Sequence, residues 1–413
     1  MRLELVTIGT ELLLGLTIDT NGAYLGERLG EIGVVVTRRS TVPDDPRAIA
    51  EAIAEALGRT GAVLTTGGLG PTRDDISKHA VAEVYGAALY FDDRVWEDIV
   101  TRFRRIGREP SETNRTQAEV PEGAEVLTNR WGTAPGLWLE GAPGLTIMLP
   151  GVPKEMRGLL DREVIPRLKA RTSGTVVRSL TIRTTSIPES SLAERLNPVE
   201  HLLTPVTLAY LPSTRGVDLR LTAWGETPDQ SDRMLNEAAT RLETLLEDGV
   251  YGRGHRDLAD VVIERLRDAG RTLAVAESCT GGLLGARLTS VPGASDVFVG
   301  GVICYQDAVK RDLLGVSQEV LAADGAVSIE VAKQMAHGVR ERLGADVGVG
   351  ITGIAGPTGG TPEKPVGTVC IGWSVGAQST AVRITLFGNR EEIRERSTQA
   401  ALHRLLRRDY FWD

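Results

Sequence analysis

The chain has 413 residues, a formal net charge of −8, 41% hydrophobic residues and only 4% aromatics. That length predicts two or three domains, with cores built mainly from Leu, Val, Ile and Ala. The acidic balance gives no strong nucleic-acid signal, because a duplex binder normally shows a basic face.

Three cysteines, Cys279, Cys304 and Cys370, lack CxxC spacing. They predict neither a disulfide framework nor a zinc site, and they fit a reducing compartment. The opening MRLELVTIGTELLLG carries an acidic residue inside its apolar stretch, which argues against a signal peptide. No apolar run reaches the roughly 18 residues of a membrane span. A cytoplasmic location without a membrane partner is expected. The five scattered histidines read as surface or packing residues.

In chain order, LELVTIG predicts a buried strand and TNGAYLGERLGEIG a helix with Leu25 and Leu29 on one face. VVVTRRSTV is a second strand, PRAIAEAIAEALGRT a second helix and AVLTTGG a third strand running into glycines. LTIMLPG follows as a strand, then KEMRGLLDREVIPRLKAR as a helix. This alternation predicts a mainly parallel sheet covered by helices, with ligands at the carboxyl ends of its strands. Residues 173–252 form a small α+β module: a strand at VVRSLTIRTTS, a helix at PESSLAERL, two strands joined at Pro212–Gly216, and a helix ending at Gly249. An α/β pattern restarts over 253–413, with strands at TLAVAES, VFVGGVICY, ADVGVGITG, TVCIGWSV and STAVRITL. Helices are predicted at DLADVVIERLRDAG, HGVRERLG and REEIRERSTQAALHRLLRR. The breaks fall near Arg171–Gly174 and Tyr251–Gly254. The fold class is α/β: two α/β/α sandwich domains, 1–172 and 253–413, joined by the small module.

In the first domain, TTGGLGPTRDD follows a strand and precedes the helix DISKHAVAEVYG. Backbone N–H groups of Gly67, Gly68 and Gly70 are placed to cradle phosphate at that helix start. Asp74 and Asp75 would repel phosphate unless a divalent metal bridged them. Glu11, Asp19 and Glu155 sit at other strand ends or turns and complete the candidate metal set. The bland alternative for Asp74 and Asp75 is charge complementing the helix dipole.

In the last domain, Ser278 sits where a strand gives way to Cys279-Thr280-Gly281-Gly282 and then a helix. A serine there can point its hydroxyl into a cleft while the following N–H groups form an anion hole. It needs a base, and Lys310 is the leading candidate. Tyr305 can orient Lys310 or relay a proton. Thr352, with Gly353 after it, ends a strand in glycines and can bond the nucleophile or the oxyanion. Alternatively Ser278 caps the helix, or Cys279 is the nucleophile. Arg390 and Arg394 are an i,i+4 pair suited to clamping phosphate, unless they pair with Glu391, Glu392 or Glu395.

ESCTGG, the Tyr305–Lys310 pair, TGIAGPTGG and GNREEIR resemble the CinA C-terminal family, over nearly all of 256–413. The resemblance implies nicotinamide mononucleotide deamidation, in which the amide becomes a carboxylate and ammonia leaves. It implies Ser278 as nucleophile, Lys310 as base, and Tyr305 and Thr352 as supporting groups, without a cofactor. GTELLLG with DTN, TTGGLGPTRDD, NRWGTAPG and LPGVPKEM resemble the molybdopterin-binding-like domain at the front of CinA proteins, over roughly 1–170. That implies ADP-ribose pyrophosphate hydrolysis with a divalent metal (Mg or Co) and potassium. Thr72 and Thr133, within these motifs, are expected substrate contacts. Related domains bind molybdopterin, so a pterin-binding or competence-associated scaffold is the rival reading. The middle segment resembles a KH-like module but lacks a GxxG loop, so RNA binding is not expected. By analogy with the family, a homodimer is expected.

Overall fold

The computed structural model describes residues 1–172, 176–225 and 227–406. Ser173 and Gly174 of the first expected break, and Arg407 and Arg408 of the closing helix, lie outside them. The chain divides into two compact units: Met1–Arg178 with Ala223–Arg233, and Ser179–Thr222 with Met234–Asp413.

The first unit opens with β1 (Arg2–Ile8), α1 (Thr10–Leu13), α2 (Thr20–Gly30), β2 (Val35–Val42), α3 (Pro46–Thr60), β3 (Ala62–Thr66) and α4 (Ser77–Tyr85). β4 (Leu89–Phe91), α5 (Asp93–Arg105) and β5 (Glu119–Pro121) follow, and β4 and β5 pair as a short antiparallel ribbon. β6 (Ala124–Leu127), β7 (Gly136–Gly141), β8 (Gly144–Leu149), α6 (Pro153–Leu159) and α7 (Ile165–Lys169) complete it. The main sheet has the order β2-β1-β3-β8-β7-β6. Its first four strands are parallel, and β7 and β6 are antiparallel. Alternation along β1 builds two cores. Leu3 and Leu5 pack with Leu25, Leu29 and Met156, whereas Val6 and Ile8 pack with Ile49, Ile53 and Val81.

Local chemistry sets the ends of these elements. Asp45 accepts from the Ala48 N–H ahead of Pro46, and α3 stops at Gly61 in the left-handed region. The single helix expected over 154–171 is instead interrupted by a π turn at Leu160–Val164. Pro166 explains this, since it offers no N–H to the preceding turn.

The second unit carries most of β9 (Val176–Thr184), then α8 (Glu189–Leu196), β10 (Thr207–Ser213) and most of β11 (Gly216–Gly225). Most of α9 (Pro228–Leu246) and all of β12 (Val250–Arg253) follow, and the sheet order is β10-β11-β9-β12. Ser213 pairs with Gly216, which places the hairpin turn where Pro212–Gly216 predicts it. Then come α10 (Leu258–Asp268), β13 (Leu273–Glu277), α11 (Leu283–Thr289), β14 (Phe298–Ile303), α12 (Asp307–Leu314) and α13 (Gln318–Asp324). α14 (Ile329–Leu343), β15 (Val347–Gly353), β16 (Thr368–Val375), β17 (Gln378–Thr385) and α15 (Arg390–Leu405) close the unit. The sheet runs β14-β13-β15-β16-β17, with β14, β13 and β15 parallel and the other two antiparallel. The architecture is therefore α/β with a small α+β module over β9–β12, as expected. The helix expected at HGVRERLG begins at Ile329, because Ser328 caps it by accepting from the Val331 N–H. No helix among the described residues is long and apolar enough to cross a membrane.

One face of this sheet packs α10, α11 and α15 through large side chains such as Leu258, Val262 and Leu266, together with Leu288 and Leu402. The other face is lined by small residues and receives α14. A Cβ added at Gly348 would lie 2.1 Å from the Ala336 carbonyl oxygen, and one at Gly372 would lie 2.2 Å from that of Ala332. The helix backbone thus rests directly on the sheet backbone. Gly372→Ala is expected to cost about 2 kcal/mol, as overpacking against backbone does. A lowered urea midpoint with unchanged slope would report it.

Candidate functional site

β14, β13 and β15 are adjacent and parallel, so their carboxyl ends form one edge of the sheet. Ser278 follows β13, Tyr305 lies just past β14, and Thr352 lies near the end of β15. Three of the expected residues therefore meet at the edge where such sheets bind ligands. Ser278 is buried, and its N–H donates to the Ile351 carbonyl at 2.9 Å. Among the described residues its hydroxyl forms no hydrogen bond with Lys310.

The strand-to-helix switch is made by Glu277, a buried residue with no place among the sequence-derived candidates. Its carboxylate accepts from the N–H groups of Gly282 (3.1 Å), Leu284 (3.0 Å) and Gly285 (2.8 Å). Gly281 and Gly282 turn the chain with φ of 59° and 93°, and Gly282 is the N-cap of α11. Ser278 is therefore not the helix cap. The anion-hole expectation also narrows. The Gly281 N–H goes to the Ser278 carbonyl and the Gly282 N–H to Glu277, which leaves Cys279 and Thr280 as the loop donors. An acid just before a glycine turn that opens a helix is the sequence signal for such a role.

Burial pushes the Cys279 thiol up to about 12, so the rival nucleophile is protonated at neutral pH. Lys310 is 1% exposed. Its Nζ donates to the Tyr305 carbonyl and to Asp307 Oδ1, both at 3.1 Å. The contact with Asp307 is an ion pair within the first turn of α12. Tyr305 thus orients Lys310 through its backbone. Its hydroxyl instead accepts from Arg390 at 3.2 Å. Thr352 donates its hydroxyl proton to the Ala326 carbonyl at 2.7 Å, so that proton is not directed at an oxyanion. Gly353 permits a close approach: an added Cβ would lie 2.8 Å from a Val369 methyl.

Among the described residues Arg390 and Arg394 form no ion pair with the neighbouring glutamates. Arg390 donates to the Gly356 carbonyl at 2.6 Å, and Arg394 to the Thr280 carbonyl at 2.8 Å. Glu392 accepts from the Asn389 N–H, completing a capping box. Both guanidinium groups therefore reach the strand-end loops, with no carboxylate partner among the described residues.

In the first unit the expected phosphate cradle is smaller than the sequence implies. The Gly67 N–H donates to the Leu149 carbonyl at 3.0 Å, leaving those of Gly68 and Gly70. α4 begins at Ser77, so Asp74 and Asp75 lie in the turn before it. Asp75 Oδ2 accepts from the Thr72 N–H (2.7 Å) and hydroxyl (2.6 Å), which commits Thr72 to the loop itself. Thr133 Oγ1 accepts from Gln117 at 3.3 Å. Burial raises the Glu155 carboxyl, while Asn129 donates to it at 2.5 Å. Among the described residues no group of three or more His, Cys, Asp or Glu is placed to hold a metal. The five expected ligands are therefore not one cluster: Glu11 lies in α1, Asp19 caps α2, Asp74 and Asp75 share the turn before α4, and Glu155 lies in α6.

Two of them do share a cleft. Glu11 and Asp19 line a cavity of about 110 Å³ with Asn21, Thr66 and Gly151. Asn21 donates to the Gly151 carbonyl at 2.7 Å, while its Oδ1 is buried without a partner. Two carboxylates and an orphaned amide oxygen fit a hard divalent cation, which often takes only one or two carboxylates and keeps water or phosphate in its other positions. Asp19 also caps α2 and pairs with Arg39 at 3.3 Å. Lys78 was not legible as a special residue, yet it is buried. Its ammonium bonds the Thr116 carbonyl, and burial pushes it down to about 8.

Family profiles match in three blocks. The CinA C-terminal domain matches residues 255–408, the damage-inducible protein CinA KH domain 179–252, and the probable molybdopterin binding domain 4–170. A CinA-like protein of Gemmatimonas aurantiaca is 50% identical over 98% of this chain and 96% of its own length. A CinA-like protein of Chlorobaculum tepidum is 42% identical over 98% of each. The crystal structure of a protein CinA of unknown function from Thermoplasma acidophilum is 32% identical, covering 41% of this chain and 99% of that one, with a TM-score of 0.38.

A thiol held near 12 has a thiolate fraction of about one in ten thousand at pH 8. Folded protein treated with iodoacetamide at about pH 8 is expected to carry no adduct on the Cys279 peptide by mass spectrometry. Rapid stoichiometric labelling would contradict this.

Proposed function

The chain belongs to the CinA family, and on that premise we propose that residues 253–413 deamidate nicotinamide mononucleotide to nicotinate mononucleotide and ammonia. The observation that carries the reading is the shared strand edge. A buried serine, a buried lysine and two arginines with no carboxylate partner among the described residues converge on the ends of β14, β13 and β15. Ser278 Oγ attacks the amide carbon as Lys310 takes its proton. The oxyanion draws on the N–H groups of Cys279 and Thr280. Lys310 returns the proton to the leaving nitrogen, ammonia departs, and water then releases the acid from the serine ester. Arg390 and Arg394 hold the substrate's phosphate. Glu277 acts indirectly, by fixing the loop that carries Ser278.

Residues 1–172 are proposed to hydrolyse ADP-ribose to AMP and ribose 5-phosphate. Glu11, Asp19 and the Asn21 amide oxygen would hold a divalent cation, with potassium as a further requirement. The cation would supply charge neutralisation at the pyrophosphate. The N–H groups of Gly68 and Gly70 would bind a phosphate oxygen. The unpartnered Asn21 oxygen favours this reading over pterin binding alone.

Ser278→Ala is expected to abolish ammonia release, and Lys310→Met to reduce it roughly a hundred- to ten-thousand-fold. Normal deamidation by the alanine variant would remove Ser278 from the mechanism. Glu11→Gln with Asp19→Asn is expected to eliminate metal-stimulated AMP formation and heat of metal binding in calorimetry. Unchanged metal binding in that double variant would move the cation elsewhere.

A further inference from the structure

α15 has a second set of polar partners, separate from the strand ends. Thr214 Oγ1 donates to Glu395 Oε2, and the Arg215 guanidinium lies 4.0 Å from Glu395 Oε1. Thr214 and Arg215 are the turn of the β10–β11 hairpin. Glu395 is the residue directly after Arg394. Arg215 also donates to Asp257 Oδ2 at 2.8 Å, and Asp257 Oδ1 accepts from Arg287 at 2.8 Å. Arg287 belongs to α11, the helix that opens from the Ser278 loop, and it donates to Gln399 on α15 at 2.6 Å. Gln399 in turn donates to Thr185 at 2.9 Å.

This is a continuous network in which the inner members are nearly sealed from water: Thr185 is 0%, Gln399 5% and Arg287 9% exposed. A satisfied buried polar network selects one geometry, because any shift leaves a group unpaired. Apolar packing alone does less for the start of α15. Its core residues Ala401, Leu402 and Leu405 lie toward the far end, and among the described residues Ile393 alone joins the core from the turn bearing the arginines. We propose that the hairpin tip, through Thr214 and Arg215, positions α15 so that Arg390 and Arg394 meet the substrate's phosphate. Thr214 and Arg215 are positioning residues, and the KH-like module is then a working part of the deamidase site. The inference rests on the deamidase reading above.

The test uses full-length protein and two substrates, nicotinamide mononucleotide and its riboside, which lacks the phosphate. Thr214→Val with Arg215→Ala is expected to raise KM for the mononucleotide about tenfold, as loss of a charge-assisted bond would. The kcat should stay within about twofold, and kinetics with the riboside should not change. Thr214→Ser with native Arg215 keeps the hydroxyl and should restore the mononucleotide KM. Arg394→Ala is the reference for losing the phosphate contact itself. If Arg394→Ala erases the preference for mononucleotide while the hairpin variant does not, the positioning role is wrong and the phosphate reading stands. If the hairpin variant weakens both substrates equally, its role is structural only and the proposal falls. A wild-type protein that neither binds nor deamidates the mononucleotide removes the deamidase reading and this inference with it.

Discussion

Three backbone N–H groups at the start of α11 converge on the Glu277 carboxylate, and this bends the chain from β13 into the helix across a short loop. Burying a carboxylate is costly unless its oxygens are bonded, and here oriented peptide dipoles supply the compensation. The loop that carries Ser278 is held between this cap and the ladder bond from its own N–H to Ile351. Because Glu277 already occupies the positive end of α11, a substrate anion has little to gain there. On the proposed reading, the positive charge for the substrate's phosphate comes instead from the two guanidinium groups of α15.

The same division of labour explains the rest of the edge. The carbonyl of Tyr305 holds the lysine, while the phenol takes a bond from Arg390. One residue thereby ties the candidate base to the candidate phosphate clamp. Asp307 keeps company with Lys310 from the first turn of the following helix. The edge is assembled from strand ends, but its registration depends on helices that start immediately after them.

Much of this was legible in the sequence because parallel strands read as buried apolar runs that stop abruptly. LAVAE, FVGGVI and VGVGITG mark three such stops, and Ser278, Tyr305 and Thr352 stand at or beside them. What was not legible depended on partners remote in the chain or hidden in the backbone. At Glu277 the acid before a glycine turn was a signal, but its three partners are backbone N–H groups set only when α11 starts. Thr214 and Glu395 are 181 residues apart. Glu11 and Asp19 line one cleft, yet Asp74, Asp75 and Glu155 could not be separated from them by residue type alone. Lys78 looked like an ordinary helical lysine until packing buried it. Pattern reveals where a chain turns inward, whereas the partner of a polar group is fixed only when elements dock.

The glycine seam beneath α14 has an entropic side. At Gly348 and Gly372 the helix meets the sheet through main-chain atoms. Long side chains at an interface surrender up to about 2 kcal/mol each of rotamer freedom on folding, and glycine has none to surrender. The seam therefore brings dispersion contacts without freezing any rotamers at these positions, although the glycine backbones lose more freedom than others would. With no flexible side chain between the two surfaces, a displacement of α14 has nothing to absorb it. The helix and β15, which ends at Thr352 and Gly353, should then fluctuate as one plate, so thermal motion of that strand end is set by the whole helix and not by local rotamers.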